Sequence, residues 1–288
     1  MRRNHIALIA LGAVVIAASL RAQSDQKPLA FEVASVKPNT DGSAMPAWLL
    51  QPGGGVTITN SSLFQLIQVA YSSTSIQIAG QIVGGPNWLK SDRFDVVAKA
   101  DGSLDADETG RPTRLLAMLR SLLEERFRLR THIELREASV LFLMLASKDR
   151  RLGPQLHHST QDCRGPVGNL VAPDSPRWCG WRGGGTGHYT IQGLTMPDMA
   201  VGFAGTWSVG RPVLDRTGLS GRWDAQIDFV PTFVPGPTDP SVPVSNSAAD
   251  SGQSMLSAMR DQLGLKLEPA RAKAEYLVID HVEKPTPD

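Results

Sequence analysis

The sequence predicts an α+β fold of two similar units, each a small, mostly antiparallel sheet with helices packed on one face. Three observations predict it. Short strand patterns are broken by single helices and do not follow strict βαβ alternation. One order of elements (strand, capped helix, Arg-aromatic-Asp strand, insertion, helix, strands) occurs twice. A Gly- and Pro-rich stretch, residues 150–187, separates the two occurrences.

Phe31 to Lys37 alternates like a strand, and Pro38 ends it. Val56 to Thr59 is a second strand, entered from the turn at Gly53-Gly54-Gly55. Ser62 with Gln65 three residues on forms a capping box, and Leu63, Leu66, Ile67 and Ala70 give the helix after it one apolar face. Gly84-Gly85-Pro86 turns the chain into Trp88-Leu89, and Phe94 to Ala98 reads as a strand. An acidic loop, Asp101 to Gly110, leads to the clearest helix. Pro112 sits in its first turn, where a missing N–H costs little, and Leu115, Met118, Leu119, Leu122 and Leu123 form the core-facing stripe. Leu129 to Glu134 and Val140 to Ala146 then read as the two strands of a hairpin.

Past residue 187 the order returns. Tyr189 to Gln192 echoes Val56 to Thr59, and Thr195 with Asp198 repeats the cap positions of Ser62 with Gln65, 133 residues later. Ser220 to Asp224 echoes Ser91 to Asp95. A Pro/Ser-rich insertion, 231–253, takes the place of the acidic loop. A helix, Leu256 to Leu263, and the strands Leu265 to Leu267 and Tyr276 to Asp280 complete the copy. The expected organisation is a signal peptide (1–22), a first unit (23–149), a disulfide-containing loop or linker (150–187) and a second unit (188–288).

The first residues carry the three parts of a secretory signal: Arg2 and Arg3, an uncharged apolar run from Ile6 to Leu20, and small residues for cleavage after Ala22 or after Ser19. The run is short for a membrane span. The expected location is therefore periplasmic or secreted, with no stable span once the signal is cleaved. Losing Arg2, Arg3 and Arg21 leaves 26 basic residues against 28 acidic ones. That balance offers no basic stripe for nucleic acid. In an oxidising compartment the only cysteines, Cys163 and Cys179, are expected to pair. Closing a loop of that size is worth roughly 3 kcal/mol in the chain-entropy account.

No motif assigns a reaction. P-loop, Gly-x-Gly-x-x-Gly, His-Glu-x-x-His and Gly-x-Ser-x-Gly patterns are absent, so no cofactor is expected. Gly183 to Gly187 lacks the Lys-Ser/Thr of a phosphate cradle and reads as a flexible linker. Asp101, Asp105, Asp107 and Glu108 lack the spacing of an EF-hand and read as a solvated turn, so no metal is expected. The candidate binding residues are Arg93 and Asp95, repeated as Arg222 and Asp224, together with Arg211 and Asp215. In a strand, Arg222 and Asp224 project to one face and Trp223 to the other. Such a pair can form a recognition surface, and it can equally be a structural ion-pair lattice.

The segments GRPVLDRTGLSGRWD, FEVASVKPN, IVGGPNWLKSDRFDVVAKA, LLEERFRLRTHIELRE and GLKLEPARAKAEYLVIDHVEKP resemble a large family of exported proteins of unknown function, abundant in soil bacteria. Some members are attached to an antirepressor-type membrane metallopeptidase sensor. The resemblance implies an extracytoplasmic sensing or binding role and carries over no catalytic residues. The leading expectation is thus a non-catalytic binding or interaction module whose ligand is a protein, peptide or small molecule outside the cytoplasm. Two alternatives stand beside it. One is an extracellular hydrolase with a site of scattered residues, such as His188 and a nearby carboxylate. The other is a structural envelope component.

Overall fold

A computed structural model describes residues 29–41, 45–73, 77, 79–107, 110–165, 179–184, 187–206, 210–230 and 253–285. The expected signal peptide and nearly all of the Pro/Ser-rich insertion lie outside the described residues. The described residues form three four-stranded sheets and five α-helices, an α+β arrangement.

The first sheet is antiparallel throughout. It comprises β1 (Val33–Pro38), β2 (Ala47–Gln51), β3 (Gly55–Ser62) and β5 (Arg93–Lys99), in the order β1-β5-β3-β2, with β4 (Ile82–Gly84) lying elsewhere. Val36, Val96, Ile58 and Trp48 stand in register across its four strands. Being on one face, they meet the buried sides of α1 (Leu63–Ala70) and α3 (Thr113–Arg126) in a single core. Helix α1 starts where expected because Ser62 and Gln65 each take the other's backbone N–H, at 3.2 and 2.9 Å. Its buried residues are Leu63, Leu66, Ile67 and Ala70, the face that the spacing predicts. Trp88–Ser91 adds a single helical turn, α2. Phe127 closes α3, buried with its ring edge-on to Phe94 at 5.1 Å.

The third sheet is built alike. Its strands β7 (Leu156–His158), β8 (Gly180–Gly184), β9 (His188–Leu194) and β11 (Trp223–Asp228) run in the order β7-β11-β9-β8, again antiparallel. Leu156, Ala225, Ile191 and Trp181 form its register row. The row packs against α4 (Met196–Thr206) and against α5 (Met255–Ala258), which continues as a π-turn, Met259–Leu263, and stops at Gly264 in the left-handed region. Two of these strands, β7 and β8, fall inside residues 150–187, where a loop or linker was expected.

The middle sheet corrects the sequence reading. Leu129 to Glu134 and Val140 to Ala146 are not a hairpin: they are the two ends of one strand, β6 (Arg130–Leu145). Residues 135–139, Leu-Arg-Glu-Ala-Ser, contain no Gly, Pro, Asn or Asp to turn the chain. The antiparallel partner is β12 (Leu265–His281), also a single strand, paired with β6 from Leu265↔Leu145 to His281↔Arg130. Two short strands flank this ribbon in parallel. β4 pairs with β12 at Leu277 to Ile279, and β10 (Val213–Asp215) pairs with β6 at Leu141 to Leu143. Each flanking strand therefore joins the ribbon strand from the opposite half of the chain. Among the described residues no helix is long and apolar enough to cross a membrane.

Candidate functional site

The predicted binding residues all make hydrogen bonds within the chain, some to backbone and some to side chains. Both β3 and β9 bulge near their ends. The pairing slips between Ile58 and Ser61 in one and beside Trp223 in the other, and Asn60 and Gly193 take positive φ of 50° and 63° there. A bulge turns a backbone N–H out of the ladder, and here a carboxylate accepts it. Asp95 takes the Asn60 N–H at 2.8 Å, and Asp224 takes that of Gly193 at 2.7 Å. Asp95 also accepts the Asn39 amide at 2.9 Å. Arg222 donates to the Gly193 carbonyl, so the N–H and the C=O of Gly193 are both held, whereas Arg93 donates to Gln65 at 3.0 Å. Asp215 closes its own turn, accepting the Thr217 amide and hydroxyl at 2.9 and 2.8 Å. Arg211 reaches the Ser139 hydroxyl at 3.4 Å. The six residues are distributed over all three sheets and do not converge on one surface.

Arg222 alone of the six lines an apolar cleft of about 370 Å³. Its walls come from segments remote in sequence: Val69 at the end of α1, Pro112 and Leu116 at the start of α3, Trp181 on β8, Leu194 on β9, and Val201 and Gly202 on α4. Apolar walls with a few convergent polar groups characterise small-molecule sites. The polar groups here are Arg111, Asp198 and Arg222. Arg111 grips one oxygen of Asp198 with Nη2 at 2.7 Å and Nε at 3.3 Å, and both side chains are largely buried. Asp198 also accepts the Thr195 hydroxyl at 2.6 Å, and its own N–H donates back at 3.3 Å. Thr195 thus caps α4, and Asp198 sits in its first turn, where the helix dipole favours a negative charge.

Several local features hold this geometry. Ala106 and Gly165 exchange backbone hydrogen bonds of 2.6 and 3.2 Å, which fixes the loop carrying Arg111 to the third-sheet side. Cys163 and Cys179 are joined as expected, with Cα atoms 5.6 Å apart. The disulfide lies over Gly193, where a Cβ would collide with both sulfurs. The Trp181 ring meets Phe203 edge-on at 5.2 Å and Tyr189 at 6.2 Å. It rests on Gly202, where a Cβ would overlap Cε2, Cζ2 and Nε1 of the indole. Sequence reasoning missed Arg111, Trp181 and Gly202 as site residues, and it read Asp198 only as a cap.

The other candidates are more exposed. A larger hollow of about 850 Å³ at the Arg130 end of the ribbon is lined by Glu124, Arg128, Arg130, Asp280, His281 and Glu283. Two of its three acids engage histidines: Asp280 meets His132 and Glu283 meets His281, each at 2.9 Å. His188 does have a nearby carboxylate, Asp228 at 2.6 Å, and the Thr190 hydroxyl lies 3.4 Å from its other ring nitrogen. That chain of groups is open to water, with His188 50% and Asp228 71% exposed. In the acidic loop, Asp101 pairs with Arg114, and Asp107 accepts the Thr113 hydroxyl at 2.7 Å; Glu108 lies outside the described residues.

Residues 64–282 match the family described as "Protein of unknown function (DUF3738)", and the chain belongs to that family. No curated protein and no solved structure matches it.

Proposed function

We propose that this DUF3738 protein is an exported, non-catalytic binding module that holds a small molecule in the cleft between Trp181 and Arg111. The observation that carries the reading is the cleft itself: apolar walls around one largely buried ion pair, closed in by a disulfide and a glycine-seated indole. Export is supported by the charged-then-apolar N-terminal pattern and by the disulfide, a bond that persists in oxidising compartments. Arg222 is the one residue of the Arg-aromatic-Asp motifs that this reading places at the ligand.

The protein is read as two copies of one α+β unit. The strand order β1-β5-β3-β2 answers to β7-β11-β9-β8, and the row Val36, Val96, Ile58, Trp48 answers to Leu156, Ala225, Ile191, Trp181. The Asp95 and Asp224 bulge clamps correspond, as do the exchanged strands β4 and β10. On this reading the cleft lies on the seam between the copies, formed by α1 and α3 of one with β8, β9 and α4 of the other.

The test is to purify the exported chain, release any bound small molecule and add it back. A ligand of the cleft raises the melting temperature of the native chain, because binding to the folded state stabilises it, and does not raise that of Trp181→Ala. Equal stabilisation of both proteins contradicts the reading. A second reading, an extracellular hydrolase, is favoured only by the Thr190-His188-Asp228 arrangement. It requires Thr190→Ala to abolish ester hydrolysis.

A further inference from the structure

We infer that the cleft selects an amphipathic monoanion, a small molecule with an apolar body and one carboxylate- or sulfonate-type head. The inference rests on the cleft being the binding site and adds the chemistry of its occupant. Val69, Leu116, Leu194, Val201 and the Trp181 indole offer carbon surface, which favours an apolar body. The charged groups in the same wall are two guanidinium groups and one carboxylate among the described residues: Arg111, Arg222 and Asp198.

Arg111 supplies the specific contact. Its Nε and Nη2 both go to Asp198, and among the described residues its Nη1 makes no hydrogen bond. That nitrogen belongs to a side chain held rigidly by its ion pair and less than one-third exposed. A guanidinium already oriented and partly desolvated binds an oxyanion through short, charge-assisted hydrogen bonds with little further ordering. Arg222, held on the Gly193 carbonyl, lines the same wall. The volume of about 370 Å³ suits a ligand of one or two rings, or a medium-length acyl chain, and is near the lower limit of ordinary ligand pockets.

Two fluorescent probes with the same rings separate the terms: 1-anilinonaphthalene-8-sulfonate carries an anionic head, and N-phenyl-1-naphthylamine lacks it. The native chain is expected to bind one equivalent of the sulfonate at least about tenfold more tightly than the neutral probe, the size of one charge-assisted hydrogen bond. Salt should weaken the sulfonate alone. Asp198→Asn removes the competing negative charge and keeps an amide oxygen to hold Arg111, so it should raise the preference for the sulfonate over the neutral probe. Octanoate should displace the sulfonate, and octylamine should not. Equal binding of the two probes, or a sulfonate affinity indifferent to Asp198→Asn and to salt, overturns the anion selectivity and leaves the cleft reading standing. Failure of both probes to bind the native chain overturns the cleft reading as well.

Discussion

Replacing Gly202 by alanine is expected to do the opposite of what alanine normally does in a helix. Within α4, a glycine-to-alanine change at a compatible position gains about 1 kcal/mol, because alanine leaves the unfolded chain less conformational freedom to lose. Gly205, three residues on, meets that condition: a Cβ built there touches nothing within 4 Å. At Gly202 the added methyl occupies the space of the Trp181 indole. The ring must leave its seat, losing its edge contacts with Phe203 and Tyr189, each worth about 0.5–1.5 kcal/mol. Forcing a methyl into a packed site adds about 1–3 kcal/mol. Against the helix gain, Gly202→Ala comes out destabilising by about 1–5 kcal/mol, and Gly205→Ala stabilising by up to about 1 kcal/mol. Urea unfolding of the two variants reads both signs, and the Trp181→Ala background supplies the control: Gly202→Ala should lose its penalty there, because the clashing ring is gone. If both glycine variants are stabilised alike, Trp181 is not seated on α4 and the cleft wall has been misassigned.

Other consequences are equally direct. Gly193→Ala puts a side chain in the left-handed region against both disulfide sulfurs and should destabilise by at least about 2 kcal/mol, measured by the urea midpoint at constant slope. Cys163→Ser with Cys179→Ser should lower stability by about 3 kcal/mol, and coincident midpoints for this variant and the oxidised chain would remove the disulfide from the account. Burial holds the Tyr71 phenol above its ordinary pKa, with a hydrogen bond to Thr131 acting in the opposite direction. An acid whose folded pKa is raised contributes stability below its unfolded value, near 10, and loses it as pH rises past that value. Tyr71→Phe should therefore remove the latest-rising part of the tyrosinate absorbance and flatten the alkaline loss of stability.

Local features of the fold were legible in the sequence. The Ser62–Gln65 box and the Leu63, Leu66, Ile67, Ala70 face are fixed by neighbours within one or two turns, and the sequence pattern reports them directly. The middle sheet was not legible. A hairpin was expected where β6 continues for 16 residues, because its partner, β12, begins 120 residues beyond the end of β6. The absence of turn residues at 135–139 was the one local sign against the hairpin. β4 and β10 are three residues each and exist only through pairing with a remote strand, so no periodicity announces them. β7, also three residues long and paired with the remote β11, hid for the same reason, and β8 lay in the Gly-rich stretch beside its partner β9. The site was less legible still. Arg111 and Asp198 meet across 87 positions, and the requirement for glycine at 202 comes from an indole 21 residues away on another element. The Arg-aromatic-Asp motifs were conspicuous because the pattern occurs twice, and in each the aspartate accepts a backbone N–H at a strand bulge.

The central claim is that a small amphipathic anion is held on the seam beside Trp181. The most direct measurement is the backbone amide shift map of the native chain titrated with 1-anilinonaphthalene-8-sulfonate. The account predicts that the largest shifts cluster at Arg111, Trp181, Asp198, Val201 and Gly202. Shifts centred on Arg128, Thr131 and His281, or on the polar face of the third sheet at Gln155, Thr190 and Gln226, would contradict it.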